Sequence, residues 1–319
     1  MMTAAGGRIV VTRALPSQAI ERLQRSGAHV WVSPDHHPLT PRALRAAVAG
    51  AEAIVSLLHD RVDEAVLDAA GPQLRVVANV AVGHDNIDLD AARRRGVTVT
   101  NTPGVLVDAT ADLTMALILA ITRRVGEGDR LIRADKPWAW SMDFMLGRGL
   151  RGKTLGIVGY GAIGRATADR ARAFGMDVIS TRRSSAGAGP DHVRVDELLE
   201  RADIVSLHCP LTAETHHLID AEALARMRPE SYLVNTARGP IVDEAALVAA
   251  LRDGAIAGAA LDVFEHEPEV HRGLLTLDNV VLVPHLGSAT VETRTAMAEL
   301  AADNVLAVLA GRPALTAVG

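Results

Sequence analysis

Lys153-Thr154-Leu155-Gly156-Ile157-Val158-Gly159-Tyr160-Gly161-Ala162-Ile163-Gly164-Arg165 runs from a strand-like apolar segment, through a glycine-rich turn, into a helix-like segment that ends at Phe174. In a G-x-G-x-x-G turn the first glycine permits a tight reversal of the chain. The second lets backbone N–H groups approach a pyrophosphate, and the third lets helix and strand pack closely. The helix that follows turns its N-terminus toward the anion. Glycine-rich turns are common, so the bare pattern does not choose between a nucleotide site and a plain turn. The flanking strand and helix choose a dinucleotide-binding turn. It comes late, and the residues before Lys153 must form a separate structure.

Strand and helix patterns alternate on both sides of this turn. Before it, apolar runs predict strands at Arg8 to Val11, His29 to Val32, Ala53 to Leu58, Arg75 to Ala78 and Val97 to Thr100. Helices are expected at Ser17 to Ser26, Pro41 to Ala49, Asp63 to Ala70 and Leu89 to Arg95, then a long apolar one at Ala109 to Thr122 after Pro103-Gly104. A broken, tryptophan-containing stretch covers Ala134 to Gly152. After Thr154 to Val158, further strands are expected at Asp177 to Thr181, Asp203 to Leu207, Tyr232 to Asn235, Ile256 to Leu261 and Val280 to Val283, with a last helix at Val291 to Leu309. Such alternation predicts an α/β protein with two doubly wound parallel-sheet domains and a cleft between them, ligands lying at the strand C-termini.

Composition narrows the function. At 319 residues the chain exceeds the size at which single cores stop growing, and 49% hydrophobic residues suffice for two. Its 33 basic and 38 acidic residues give a net charge of −5, which argues against nucleic acid or a membrane surface as partner. A lone Cys209 makes no internal disulfide, the start carries no secretory pattern, and the apolar run Leu113 to Ile121 is too short to cross a bilayer, so the cytoplasm is the expected compartment.

The end of the second strand bears on the cofactor. An NAD-type fingerprint has an acidic residue about 20 positions beyond the glycines to bind the adenosine ribose. Here that strand runs into Arg182-Arg183-Ser184. Two guanidinium groups and a hydroxyl suit a 2′-phosphate, which predicts NADP(H), with NAD(H) as the alternative if the arginines are merely solvated.

Three downstream motifs speak to the chemistry: Val234-Asn235-Thr236-Ala237-Arg238-Gly239, Leu261-Asp262-Val263-Phe264-Glu265-His266-Glu267-Pro268, and Val283-Pro284-His285-Leu286-Gly287-Ser288-Ala289. Each brings one capable side chain to a strand end. An arginine grips a carboxylate, a histidine exchanges a proton near neutral pH, and a glutamate beside it favours the charged ring. Together with Val77-Ala78-Asn79-Val80-Ala81-Val82-Gly83-His84-Asp85-Asn86-Ile87-Asp88 and Thr100-Asn101-Thr102-Pro103-Gly104, these motifs make the chain resemble the D-isomer-specific 2-hydroxyacid dehydrogenase family, in its glyoxylate/hydroxypyruvate and 2-ketogluconate reductase branch.

That resemblance implies roles. Arg238 would orient the substrate by its carboxylate, His285 would be the acid/base, and Glu267 its carboxylate partner. The N–H groups of Val82 and Gly83 would hold the substrate carboxylate, with Leu57, Leu58 and His59 bordering it. Gly159, Gly161, Ala162, Ile163 and Gly164 would form the pyrophosphate turn, and Cys209, Pro210, Thr236, Ala237, Asp262 and Gly287 would line the rest of the cofactor. The family fold implies a flavodoxin-like substrate domain, 1–102 with 287–319, discontinuous because the last helix returns to it. A Rossmann NADP-binding domain would span 103–286. A homodimer acting on a small 2-keto or 2-hydroxy acid is expected.

Plainer readings compete at several positions. Glu265 and Glu269 flank Glu267, and only motif register selects among them. Asp262 could bridge backbone groups instead of touching cofactor. Cys209 has no activating neighbour in its segment and reads as packing. Trp138 and Trp140 suit burial at a dimer interface. His266 and His271 are five apart with a proline between them, and His36-His37 and His216-His217 point in diverging directions, so no metal is assigned. Functional rivals are a 2-ketogluconate or hydroxyphenylpyruvate reductase of the same family, and a non-enzymatic NAD(P)-sensing corepressor.

Overall fold

The structure, a computed structural model, describes residues 7–181 and 191–318. It divides into two units, Met1–Leu106 with Thr290–Gly319, and Val107–Ala289. Both are parallel α/β sheets covered by helices on their two faces, which is the predicted fold class.

In the first unit β1 (Arg8–Val11), α1 (Ser17–Gln24), β2 (His29–Val32), α2 (Pro41–Val48), β3 (Ala53–Ser56), α3 (Glu64–Ala70), β4 (Val76–Asn79), α4 (Leu89–Arg94) and β5 (Thr98–Thr100) alternate along the chain. The sheet order is β2-β1-β3-β4-β5, every pair parallel. Successive strand side chains point to opposite faces. Ile9, Val11, Val55 and Ala78 therefore pack on Leu23 of α1 and on Ala301 and Val305 of the C-terminal helix Val291–Leu309. Val10, Ile54 and Val77 pack the other way, on Leu44, Val66, Leu67 and Ala91. Burying each such Leu, Ile or Val stabilises by about 1.5–3 kcal/mol.

The second unit opens with α5 (Val107–Thr122) and α6 (Val125–Arg133). There follow β6 (Thr154–Val158), α7 (Ala162–Ala173), β7 (Asp177–Thr181), α8 (Val195–Arg201), β8 (Ile204–Leu207), α9 (Ala221–Arg226), β9 (Tyr232–Asn235), α10 (Glu244–Arg252), β10 (Gly258–Leu261) and β11 (Val280–Leu282). The order is β7-β6-β8-β9-β10-β11, again all parallel. Leu155, Ile157 and Val234 face Met115 and Ile118 of α5 and Ala168 of α7. Val205, Leu207 and Leu233 face Leu198, Leu224 and Leu247.

Helix α6 has no counterpart in the sequence reading: Gly126 and Gly128 in its first turns weaken the helical signal, and none of its residues is buried. The stretch from Ala134 onward holds no helix or strand before β6. In it Trp138 and Trp140 are exposed, at 56% and 76%. Among the described residues no helix is long and apolar enough to cross a membrane.

Candidate active site

The order of the second sheet reverses at β6, whose neighbours β7 and β8 lie on opposite sides. In such sheets the strand ends at the reversal are where ligands bind. The turn after β6 is built for close approach at that place. Gly159 has φ +99°, and a Cβ there would lie 2.4 Å from the Cys209 nitrogen at the end of β8. A Cβ on Gly164 would lie 2.4 Å from the Gly159 carbonyl oxygen, so this glycine lets α7 sit against β6. At Gly161, in contrast, a Cβ would meet nothing within 4 Å. Gly161 is also the N-cap of α7 and offers no side-chain cap, whereas Asp220 and Asp243 cap α9 and α10. Open space in front of uncapped N–H groups suits a pyrophosphate, and the residues present fit a dinucleotide. Gly159, Gly161, Ala162, Ile163 and Gly164 would hold it.

The ends of β9, β10 and β11 carry the titratable groups. Past β9, the buried Asn235 shapes a turn: its Oδ1 accepts from the Ala237 N–H at 3.0 Å and its Nδ2 donates to the Arg238 carbonyl at 2.8 Å. The half-buried Arg238 donates from Nη1 to the Ala237 carbonyl at 2.8 Å. Past β10, Glu267 accepts from the Phe264 N–H at Oε1, 3.0 Å, and its Oε2 lies 2.9 Å from His285 Nδ1. Both side chains are largely sheltered, 15% and 22% exposed. The carboxylate thus occupies Nδ1 of the ring and orients it.

Asp262 fixes the backbone under that histidine. It is 1% exposed, and its two oxygens accept from the Leu286 and Gly287 N–H groups, the latter at 2.8 Å. Burial raises its carboxyl above the ordinary value, against the pull of those two donors. His285 itself sits at φ +52°, and its N–H donates to the Asp262 carbonyl at 2.8 Å. A left-handed non-glycine residue costs on the order of 1–3 kcal/mol, met here by the clamp from Asp262. Thr110 of α5 donates to the Gly287 carbonyl at 3.2 Å, and Thr114 lies 3.0 Å from the Thr236 hydroxyl. Asp262 therefore braces the loop that holds His285 and Gly287.

Glu265 goes elsewhere. It meets His217 Nε2 at 2.7 Å, and its N–H donates to Glu244 at the start of α10 at 2.8 Å. At the end of β8, burial pushes the Cys209 thiol up to about 11, leaving it protonated at neutral pH, and Pro210 beside it is exposed. Burial lowers neighbouring His208 to about 4, and its Nε2 lies 2.9 Å from the Ser206 hydroxyl. Arg182, Arg183 and Ser184 lie outside the described residues.

In the first unit the turn after β3 is organised by Asp60, 3% exposed. It accepts from the Leu57 N–H at 2.8 Å and pairs with Arg13 at 2.9 Å. Val82 and Gly83 follow β4, half-buried, with Asn101 donating to the Val82 carbonyl at 2.9 Å and Asn79 to that of Gly83 at 2.9 Å. Sequence reasoning singled out none of Asn79, Asn101, Asn235, Asp60 or Gly239. A side-chain amide next to a strand end, suited to holding backbone groups in a turn, was the signal for the asparagines.

Residues 115–287 match the NAD-binding domain of the D-isomer specific 2-hydroxyacid dehydrogenases. The glyoxylate reductase of Thermococcus litoralis is 46% identical over 315 residues, spanning 95% of this chain and 94% of its own. That of Thermofilum pendens is 47% identical over 321 residues, spanning 97% and 94%. A crystal structure of a Thermus thermophilus protein has a TM-score of 0.92 at 47% identity, covering 98% of this chain and 100% of that one. The NADPH-dependent glyoxylate/hydroxypyruvate reductase of Sinorhizobium meliloti, solved with NADP and malonate, has a TM-score of 0.86 at 34% identity over 99% and 97%.

Proposed function

This chain belongs to the D-isomer-specific 2-hydroxyacid dehydrogenase family, and from that premise we propose that it reduces small 2-keto acids, glyoxylate and hydroxypyruvate among them, to 2-hydroxy acids with NADPH. The observation that carries this reading is the 2.9 Å contact of His285 Nδ1 with Glu267, whose other oxygen is tied to the Phe264 N–H. The reduced nicotinamide supplies the hydride. His285, its Nδ1 engaged by Glu267, gives a proton from Nε2 to the carbonyl oxygen as that oxygen gains charge, so no free alkoxide forms. Arg238 binds the substrate carboxylate and polarises the C2 carbonyl. The N–H groups of Val82 and Gly83, and Leu57, are the further substrate contacts that membership of the family suggests.

In this reading residues 1–102 with 287–319 form the substrate domain and 103–286 the cofactor domain. The NADPH preference rests on Arg182, Arg183 and Ser184 and on the S. meliloti reductase being named NADPH-dependent. A homodimer is supported by apolar side chains exposed in one stretch: Trp138, Trp140, Met142 and Leu146. Two of the chain's three tryptophans are among them, in a protein with 3% aromatic residues. A panel of glyoxylate, hydroxypyruvate, 2-ketogluconate and hydroxyphenylpyruvate against NADPH and NADH, followed by nicotinamide absorbance, tests the assignment. Tight NADPH binding without turnover of any of them would point to a sensor and end the proposal.

A further inference from the structure

The loop after β4 holds its carbonyls in an unusual way. Three successive ones are taken by donors from the same unit: Ala81 by the Thr102 N–H at 2.8 Å, Val82 by Asn101 Nδ2 at 2.9 Å, and Gly83 by Asn79 Nδ2 at 2.9 Å. Among the described residues the one cis peptide bond is Glu267–Pro268, so these three are trans. In a planar trans peptide the N–H points opposite to the C=O. Pinning the carbonyls of Ala81, Val82 and Gly83 therefore turns the N–H groups of Val82, Gly83 and His84 the other way. Among the described residues none of those three donors has an acceptor within the chain. Successive unpaired N–H groups of this kind form an anion-binding concavity.

The two amides are themselves held. Asn79 is fully buried, its Oδ1 accepting from the Ser56 hydroxyl at 3.2 Å and from Asn86 Nδ2 at 3.3 Å. Asn86 also donates to the carbonyls of Leu57 at 3.2 Å and Asp60 at 3.0 Å. Asn101 is fixed by its backbone, which donates to the Thr316 carbonyl at 3.3 Å and accepts from the Thr316 hydroxyl at 2.6 Å. That leaves its amide committed to Val82.

We propose that Asn101 and Asn79 are positioning residues that lock the Val82–His84 loop as a three-donor site for a small carboxylate. The inference rests on the reading above that this loop receives the substrate carboxylate. Removing an amide lets its peptide rotate, so carboxylate binding weakens while the proton and hydride steps keep their geometry. Asn101 gives the cleaner test, since Asn79 also supports Ser56 and Asn86.

The experiment measures KM and kcat for glyoxylate, Kd for NADPH by fluorescence, and Tm, in the full chain. Asn101→Ala is expected to raise KM about tenfold with kcat and Kd for NADPH within about twofold. Asn101→Asp turns the donor into an acceptor facing the Val82 carbonyl and is expected to raise KM further near neutral pH. On acidification the substituted carboxyl gains an O–H donor, so its KM falls toward wild type while that of Asn101→Ala does not. A loss of Tm and kcat with KM unchanged would reduce Asn101 to a structural role and overturn the inference. Val82→Pro, or Gly83→Pro if that fails to fold, deletes an N–H outright. An unchanged KM in a folded proline variant overturns the carboxylate reading itself. A raised KM there with wild-type KM in both Asn101 variants overturns the positioning role alone.

Discussion

Gly239 lies so close to Phe264 that a Cβ on it would sit 1.9 Å from both the carbonyl carbon and the carbonyl oxygen of Phe264. The turn that carries Arg238 and the turn that carries Glu267 are thus in backbone contact. Phe264 then passes the constraint on, because its N–H holds Glu267 Oε1 at 3.0 Å. The two groups that the proposed mechanism brings to one substrate are set by a contact that admits no side chain.

Gly239→Ala is accordingly expected to cut kcat/KM by about a hundredfold or more and to lower Tm, since backbone atoms cannot yield cheaply to a methyl group. Gly161→Ala is the contrast. Its Cβ would meet no protein atom within 4 Å, so Tm should hold while KM for NADPH rises. Steady-state kinetics with thermal melts of both variants checks this, and an active Gly239→Ala enzyme would refute the coupling.

The three groups at the strand ends should separate kinetically. His285→Ala is expected to lower kcat by about 10²–10⁴-fold with little change in KM, as for loss of a general acid. Arg238→Ala should raise KM for glyoxylate, because the proposed carboxylate grip acts in ground and transition state alike, and should also lower kcat, because polarising the carbonyl counts most as charge develops there. Glu267→Gln keeps the shape but not the charge and should fall between wild type and His285→Ala. Full kcat/KM in both alanine variants would require the mechanism to be abandoned.

Acid stability should depend on His208. Burial lowers it from 6.5 in the free side chain to about 4 in the folded chain. The unfolded chain therefore takes up a proton that the folded one refuses as pH falls from 6.5 toward 4. Stability drops across that window, by on the order of 3 kcal/mol, and is unaffected above it. His208→Gln should flatten this part of the stability profile in urea melts between those pH limits. Equal acid slopes in both proteins would show that His208 charges freely.

Cofactor choice should turn on the start of the segment after β7. Arg182→Asp puts an acidic residue at the sequence position where an NAD-type fingerprint carries one. The NADPH/NADH ratio of kcat/KM should fall by about 10²-fold or more. An unchanged ratio would remove the arginine pair from the cofactor argument.

The two sheets were legible because alternation is a local property: Ile9 and Val11 face one way and Val10 the other whatever lies beyond them. The glycine turn was legible for the same reason, its φ and clearances being demands of a few adjacent residues. Helix α6 was not, since Gly126 and Gly128 sit in its first turns and weaken the local helical signal. Nor were the asparagine braces, because Asn101 and Val82 are brought together only once β4 and β5 pair.

Glu265 and Glu267 mark the border between the two kinds of knowledge. By itself the sequence determined two parallel α/β sheets, the dinucleotide turn after β6, and the arrival of Arg238, Glu267 and His285 at strand ends. It offered Glu265 and Glu267, two positions apart and of equal chemistry, with only motif register favouring Glu267. Tertiary structure decided between them, giving Glu267 to His285 at 2.9 Å and Glu265 to His217 at 2.7 Å. The reason is distance along the chain: each partner arrives from another strand's loop, and only the packing of β8, β9, β10 and β11 side by side brings the loops within hydrogen-bond reach.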